Sequence, residues 1–503
     1  MSTADALRSR ILTGPAEPEI GAFFDFDGTL IDGASALAFY RHRLRHFEID
    51  PVELARTLLV GWRGVATQEQ FADVLALSLA AWTGRSEDDL AELGERLFRQ
   101  DIAGTLFPEA WRLVAAHLKQ GHTVVITSSA TRFQVAPLAR ELGVEHIVCT
   151  EVETEDGMLT GRSLGPVPFG AGKAAAARRF AAGHGIDLTS SYAYSNGAED
   201  VPLLQAVGQP QVVNPDSGLA AAATDAGWPV HRFGSRKGPG LQQTLRTVAA
   251  YGGMVSGISA GLGLGLVNWN RRQGIDLSFG LAGDIGMALA GLSVTVHGEE
   301  HLWSHRPAVF LVNHQSMTVD ALVIFKLLRG GFSAVAKKEA ATMPVFGPFL
   351  QFADFAFVER GNPGQAKAAL NPAVDKLRAG ISLVVAPEGT RSYTARLGPF
   401  KKGAFHLAMQ AGVPIVPIVI RNAGEFMARG ARTIRPGTVE VVVHPPISVA
   451  GWSTQTLDEK VTEVRALYLQ TLDQLPAAPA APAARHPTLG ASSGPDARKR
   501  GTA

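Results

Sequence analysis

Gly21-Ala22-Phe23-Phe24-Asp25-Phe26-Asp27-Gly28-Thr29-Leu30 runs from small and aromatic side chains into two carboxylates and a glycine. It reads as a buried strand that delivers Asp25 and Asp27 into a turn at its carboxyl end. Paired acids in that position can hold Mg²⁺ while one attacks phosphorus and forms an aspartyl-phosphate. An α/β fold is the expectation for this half. From about Ile20 to Phe233, strand-like apolar runs alternate with helical stretches.

Three further parts follow in order. Val124-Val125-Ile126-Thr127-Ser128 is a strand that ends in a hydroxyl. Lys173 opens a helix after Gly170-Ala171-Gly172, and Tyr194-Ser195-Asn196-Gly197-Ala198-Glu199-Asp200 forms an acidic loop. Between the first two parts, residues 34–100 read as helical, and the spacing of Leu75, Leu79 and Trp82 suits the core of a helical cap. Together these residues resemble the haloacid dehalogenase superfamily, in its phosphoserine-phosphatase-like branch. That resemblance implies a Rossmann-like domain over 20–235, with Asp25 as nucleophile and Asp27 as general acid/base. It further implies phosphoryl binding by Ser128, charge neutralisation by Lys173, and Mg²⁺ held by Asp25, Asp27, Asn196 and Asp200. The family places an aspartate where this chain has Asn196, which removes one negative charge and should weaken cation binding.

Length and composition fit this reading and extend it. A chain of 503 residues exceeds one ordinary core, and 46% hydrophobic with 18% charged residues excludes a disordered chain. The single cysteine, Cys149, excludes an internal disulfide framework and suits a reducing compartment. The first 20 residues carry no apolar run of secretory-signal length. From His297 to His444, 17 Lys and Arg stand against 10 Asp and Glu, whereas residues 1–296 carry 24 against 31. A basic second half suits anionic lipid or phosphorylated substrates, or is a solvated face. No basic stripe with interleaved aromatics points to nucleic acid.

Between the halves lies glycine-rich apolar sequence, 250–296. Tyr251 to Trp269 is free of charge, and Leu277 to Val296 carries only Asp284. Gly253, Gly257, Gly261 and Gly265 recur every four residues, as do Ala282, Gly286 and Ala290. Small faces of this kind let two helices approach closely. The expectation is a tight helical hairpin joined by a basic turn at 270–276. It would be interfacial or re-entrant on the cytoplasmic face of the cell membrane, with Arg232, Arg236, Lys237 and Arg246 adding attraction to anionic lipid. A buried helical pair packing the two halves together is the alternative.

Beyond the hairpin, strands are expected at Ala308–Val312, Ser382–Ala386, Pro414–Ile420 and Val439–Val443. Phe310-Leu311-Val312-Asn313-His314-Gln315-Ser316 sets a histidine just after a strand, and Ala386-Pro387-Glu388-Gly389-Thr390-Arg391-Ser392 follows another. With Phe357-Val358-Glu359-Arg360 and Val413-Pro414-Ile415-Val416-Pro417-Ile418, these segments resemble the glycerophospholipid acyltransferases of the 1-acylglycerol-3-phosphate type. The resemblance implies an α/β domain over 297–474 in which His314 and Asp320 are catalytic. Lys337, Arg360, Glu388, Gly389, Thr390 and Arg391 would bind substrate. A lipid hydroxyl is a poor nucleophile near neutral pH, so His314 would take its proton during attack on a thioester. Five residues separate His314 from Asp320 where the family has four, and a loop or a single π-bulge is expected to absorb the extra one.

The implied reaction is acyl transfer from acyl-CoA or acyl-carrier protein to a lysophospholipid, giving phosphatidic acid. The fused phosphatase would hydrolyse a phosphomonoester. Two alternatives stay open: an inactive, regulatory or scaffolding first domain, and glycerol-3-phosphate as acceptor. The Ala/Pro-rich residues 475–503 read as a disordered tail.

Overall fold

A computed structural model describes residues 3–46, 48–49, 68–234, 240–343, 346–358, 372–394 and 396–473. Part of the expected cap, together with Arg236, Lys237, Pro344, Glu359, Arg360 and the tail, lies outside the described residues.

The first half is built on strands β1 (Gly21–Asp25), β2 (Thr123–Thr131), β3 (His146–Glu155), β4 (Met158–Leu164), β5 (Tyr192–Ser195), β6 (Gln209–Val213) and β7 (Val230–His231). They form one sheet in the order β4-β3-β2-β1-β5-β6-β7. All pairs are parallel except β3 with β4. β1 is buried throughout because helices cover both faces of a parallel sheet. Phe24 stacks on Tyr194 of the neighbouring strand with ring centroids 4.2 Å apart. Ligands of such sheets sit beyond the carboxyl ends of the strands where the order reverses, which here is β1 between β2 and β5. In the cap, Leu79 and Trp82 are buried, and Phe71 stacks on Phe169 ahead of the helix that carries Lys173.

The second half repeats the plan with β8 (Leu292–His297), β9 (Val309–Val312), β10 (Phe332–Lys337), β11 (Ala356–Val358), β12 (Ser382–Val385), β13 (Ile415–Ile420) and β14 (Gly437–Val443). The order is β11-β10-β12-β9-β13-β14-β8, with only β13 and β14 antiparallel. β9 is fully buried beside β12 and β13.

The hairpin is present, with different limits. Its first helix runs Leu241–Val267 and its second Arg271–Ala290. The residues Leu292–Val296, expected in the hairpin, instead pair with β14 as part of β8, where their two-residue alternation matches a sheet edge. The glycine stripe is required by close approach. A Cβ at Gly257 would lie 2.6 Å from the Ala282 nitrogen, and one at Gly261 2.3 Å from the Ser278 nitrogen. Ser278 also donates to the Ile258 carbonyl at 2.9 Å, across the two helices.

The expected turn at 270–276 is shorter, because the second helix already begins at Arg271: Asn270 caps it, Arg271 pairs with Asp354, and Arg272 pairs with Asp276 and the Phe332 carbonyl. The second helix also differs from the first. Gly283 packs on the backbone of Lys326, and Asp284 pairs with Lys326 at 2.8 Å and Arg329 at 3.0 Å. Protein therefore covers it on both sides. Among the described residues only Leu241–Val267 is long and apolar enough to cross a membrane.

Candidate active sites

The first site sits at the ends of β1, β2 and β5. Lys173 donates to Asp25 Oδ1 at 2.8 Å and to Asp200 Oδ2 at 2.6 Å, and all three side chains are buried. Ser195 donates to Asp200 Oδ2 at 2.7 Å, and Thr29 to Asp25 Oδ2 at 3.1 Å. Burial raises the Asp25 carboxyl to about 7, opposed by Lys173 and reinforced by the Asp200 charge. Burial also works against the Lys173 ammonium, but Asp200 and Asp25 outweigh it and raise its pKa. One ammonium thus holds two mutually repelling carboxylates together out of water. Removing Lys173 would leave both buried acids without a compensating charge.

Asp27 points elsewhere. Its two oxygens accept from the Ser35 backbone at 2.6 Å and the Ser35 hydroxyl at 3.1 Å. Burial raises its pKa to about 6, against those hydrogen bonds. Ser35 was not legible in sequence, because nothing marks a serine eight residues on as the partner of that acid. Ser128 is buried near the end of β2, with its hydroxyl accepting from the Ala130 amide at 3.0 Å.

Whether Mg²⁺ suits this site turns on Asn196. Among the described residues no three or more His, Cys, Asp or Glu side chains group around a metal position. The available donors are oxygens of mixed type. Asp200 Oδ1 is buried without a hydrogen-bond partner. In one orientation of its amide, Asn196 Oδ1 accepts from Thr29 at 3.2 Å. Turned over, the amide nitrogen would donate to Asp27 O at 3.0 Å, Asp25 Oδ2 at 3.2 Å and Thr29 Oγ1 at 3.2 Å. Acceptors from Asp25 and Asp27 therefore converge at the Asn196 side chain. Such a cluster fits a hard cation held by Asp25, the Asp27 carbonyl and the Asn196 carbonyl.

The second site hangs from β9. Asn313 pairs through its amide with both backbone groups of Ile420, at 2.7 Å each, and so stitches the end of β9 to β13. The chain then turns, and Ser316 caps the helix Met317–Leu328 by accepting from Val319. Asp320 lies in the first turns of that helix and reaches back over the loop. Its Oδ2 is 2.8 Å from His314 Nδ1 and accepts from the Gln315 and Ser316 amides at 3.0 and 2.9 Å. A plain loop takes up the extra residue, and no π-bulge forms. The His314 side chain is 29% exposed and that of Asp320 only 6%, so the acid lies behind the ring.

Glu388 is a clamp. Its Oε1 accepts from the His314 amide at 2.9 Å and its Oε2 from Gly398 at 2.8 Å. Burial raises its pKa, with those two amides opposing. Gly389 has φ of +69°, and a Cβ there would press on the Lys401 side chain at 3.1 Å, so glycine is needed. Ser392 then donates its backbone N–H to the His314 carbonyl at 3.1 Å, which ties the Thr390-Arg391 turn to the histidine loop. Burial and the neighbouring Arg429 lower the Arg391 pKa. Lys337 ends β10, one strand removed from β9, and pairs with Glu339 at 2.7 Å. The structure thus brings His314, Asp320, Glu388 and the 389–392 turn together, and leaves Lys337 engaged with its neighbour.

Family models match both halves. One described as haloacid dehalogenase-like hydrolase matches residues 22–205, and one described as acyltransferase matches residues 293–421. Over 204 residues the chain is 33% identical to a 1-acyl-sn-glycerol-3-phosphate acyltransferase of Cocos nucifera, covering 40% of this chain and 65% of that one. It is 33% identical over 193 residues to the protein of the same name from Limnanthes alba, covering 38% of this chain and 68% of that one. Over 223 residues it is 34% identical to a phosphoserine phosphatase of Mycobacterium tuberculosis, covering 44% of this chain and 72% of that one. The chain therefore spans about two thirds of the length of these acyltransferase relatives.

Proposed function

The chain belongs to the haloacid dehalogenase-like hydrolases through its first half and to the acyltransferases through its second, and from that premise we propose a membrane-bound 1-acylglycerol-3-phosphate acyltransferase fused to a phosphomonoester phosphatase. The observation that carries the first activity is the 2.8 Å contact between His314 Nδ1 and buried Asp320. Asp320 fixes the tautomer with the proton on Nδ1, which leaves Nε2 to accept one. Nε2 takes the proton of the lipid hydroxyl as its oxygen attacks the thioester carbonyl of acyl-CoA or acyl-carrier protein. The C–S bond breaks, the proton passes to the departing thiolate, and phosphatidic acid leaves. Glu388 holds the loop in register while Arg391, with Lys337 and Arg360, would bind the acceptor phosphate. The same site would take glycerol-3-phosphate if the pocket tolerates a missing acyl chain.

In the first half, Asp25 would attack phosphorus and Asp27 would protonate the departing oxygen, after which water releases phosphate. Lys173 and Ser128 would hold the phosphoryl oxygens. Mg²⁺ would supply charge neutralisation there. The amide at position 196 favours a second reading, a weakened site that serves as a scaffold.

The first hairpin helix supports attachment to a membrane, which would be at its cytoplasmic face. Leu241, Leu245, Val248, Leu264 and Leu266 are exposed on it and Trp269 just beyond it, and Tyr251 bonds Thr318, in the first turn of the helix that follows the site loop, at 2.8 Å. An apolar surface bordering the loop gives a lysophospholipid a short path from lipid to His314. Assays on the full chain test both activities: His314→Ala should lose acyl transfer but keep phosphate release, and Asp25→Asn should do the reverse. Acyl transfer that survives His314→Ala would overturn the mechanism.

A further inference from the structure

The turn that carries Arg391 belongs to no helix or strand, yet its work requires a fixed guanidinium. Within its own domain it is held by the Ser392 amide on His314 and by Arg429. Arg429 donates to the Arg391 carbonyl at 2.5 Å and lies 4.0 Å from the Tyr393 ring centroid. Neither Arg391 nor Arg429 makes an ion pair among the described residues, so two guanidinium groups repel beside the histidine base. A phosphate group would relieve that repulsion, but until it arrives something must hold the cations together.

The Ser392 hydroxyl also donates to the Arg396 carbonyl at 2.9 Å, and further restraints come from the other half of the chain. Glu141, at the end of the helix Arg132–Leu142, accepts from the Tyr393 amide at 3.1 Å, and the same oxygen lies 3.4 Å from the Ser392 hydroxyl. Arg396 donates to the Arg140 carbonyl at 3.2 Å. The Tyr393 ring lies 5.4 Å from Phe98, so it is held between Phe98 and Arg429. The helix that carries Glu141 begins directly after β2, the strand that carries Ser128.

We propose that Glu141 is a positioning residue for acyl transfer: a carboxylate of the phosphatase-like half fixes the Arg391–Tyr393 turn on which the acceptor phosphate is bound. The inference rests on the acyl-transfer reading above. It gives the fused domain a role in acyl transfer that needs no turnover of its own. An N–H to carboxylate bond is charge-assisted, and its loss frees the backbone two residues from Arg391. Arg391 holds a part of the acceptor that does not react, so the effect belongs in acceptor KM and leaves kcat in place.

The experiment compares full-length wild type, Glu141→Ala and Glu141→Gln, with lysophosphatidic acid in mixed micelles and varied acyl donor. Glu141→Ala should raise the acceptor KM about tenfold, with kcat and donor KM within about twofold. Phosphate release should be unchanged. The glutamine variant keeps an oxygen acceptor for the Tyr393 N–H and should recover most of the loss. Hydrogen exchange at the Tyr393 amide, read by mass spectrometry, should speed up in the alanine variant. An unchanged acceptor KM in Glu141→Ala overturns the proposal. So does equal damage to kcat and both KM values in the two variants, which marks a general structural role. A wild type that transfers no acyl group fails the underlying reading instead, and the two failures are told apart by that one control.

Discussion

Both candidate sites hang from the carboxyl end of a central parallel strand, β1 in one half and β9 in the other, but they handle charge in opposite ways. Around Asp25 the charged groups face one another: Lys173 bridges two carboxylates, and its side chain is 4% exposed. Around His314 the acid is buried and the base is left partly open, with Asp320 held by two backbone amides and the ring reaching solvent. A nucleophile that becomes covalently phosphorylated benefits from a cation already at its side, since charge develops on that residue itself. A base that serves a lipid alcohol must meet a substrate arriving from outside, so only its partner can be withdrawn from water.

The largest effect that would test this contrast is on the withdrawn acid. Asp320→Asn should cut acyl transfer by about 10²- to 10⁴-fold by disfavouring the productive tautomer, while phosphate release stays at the wild-type rate. A loss of less than about threefold would mean that the two backbone amides, and not the imidazole, are the reason for the acid. A smaller effect concerns the missing charge of the first site. Asn196→Asp should tighten Mg²⁺ or Mn²⁺ binding about tenfold by calorimetry, because hard cations respond to ligand charge. Unchanged affinity would show that position 196 does not face the cation.

The smallest expected effect is on stability. The folded state binds the Asp27 proton more tightly than the unfolded chain, with a pKa raised to about 6 by burial. Ionised Asp27 therefore weighs against the fold above that pH, and the penalty fades as pH falls toward the ordinary carboxylate range. Asp27→Asn should stabilise the fold at pH 7.5 in chelator by on the order of 1 kcal/mol, read as a higher melting temperature, because Asp27 keeps some contact with water. The gain should shrink by pH 4. A gain independent of pH would point to a cause other than charge.

Much of this is legible in the amino-acid sequence. The motif D-x-D-G-T at Asp25–Thr29 and the pair of segments around His314 and Glu388 name their chemistry through residue type and spacing, which are local properties. The glycine stripe was equally plain, since a four-residue repeat of the smallest side chain has few physical causes. β8 is hidden in the sequence because Leu292–Val296 is apolar enough to continue a helix, and only pairing with β14 shows it as a strand. The order of the strands is equally absent from the linear motif: β12 stands between the strand that Lys337 ends and the one that carries His314.

Sequence alone therefore determined which groups can do chemistry here: two acids after one strand, a histidine after another, and an apolar run between the halves. Tertiary structure decided which of those groups meet. It placed Asp320 behind His314 despite the extra residue, because a capped helix start lets a carboxylate reach back across a loop. It also paired Asp284 with Lys326 and Arg329, so that the second hairpin helix belongs to the acyltransferase core. Glu141 and Tyr393 are 252 positions apart, a contact that only the folded chain makes. Spacing can specify a turn or a helix face, but contacts across domains depend on how whole surfaces pack, and no short window of residues contains that information.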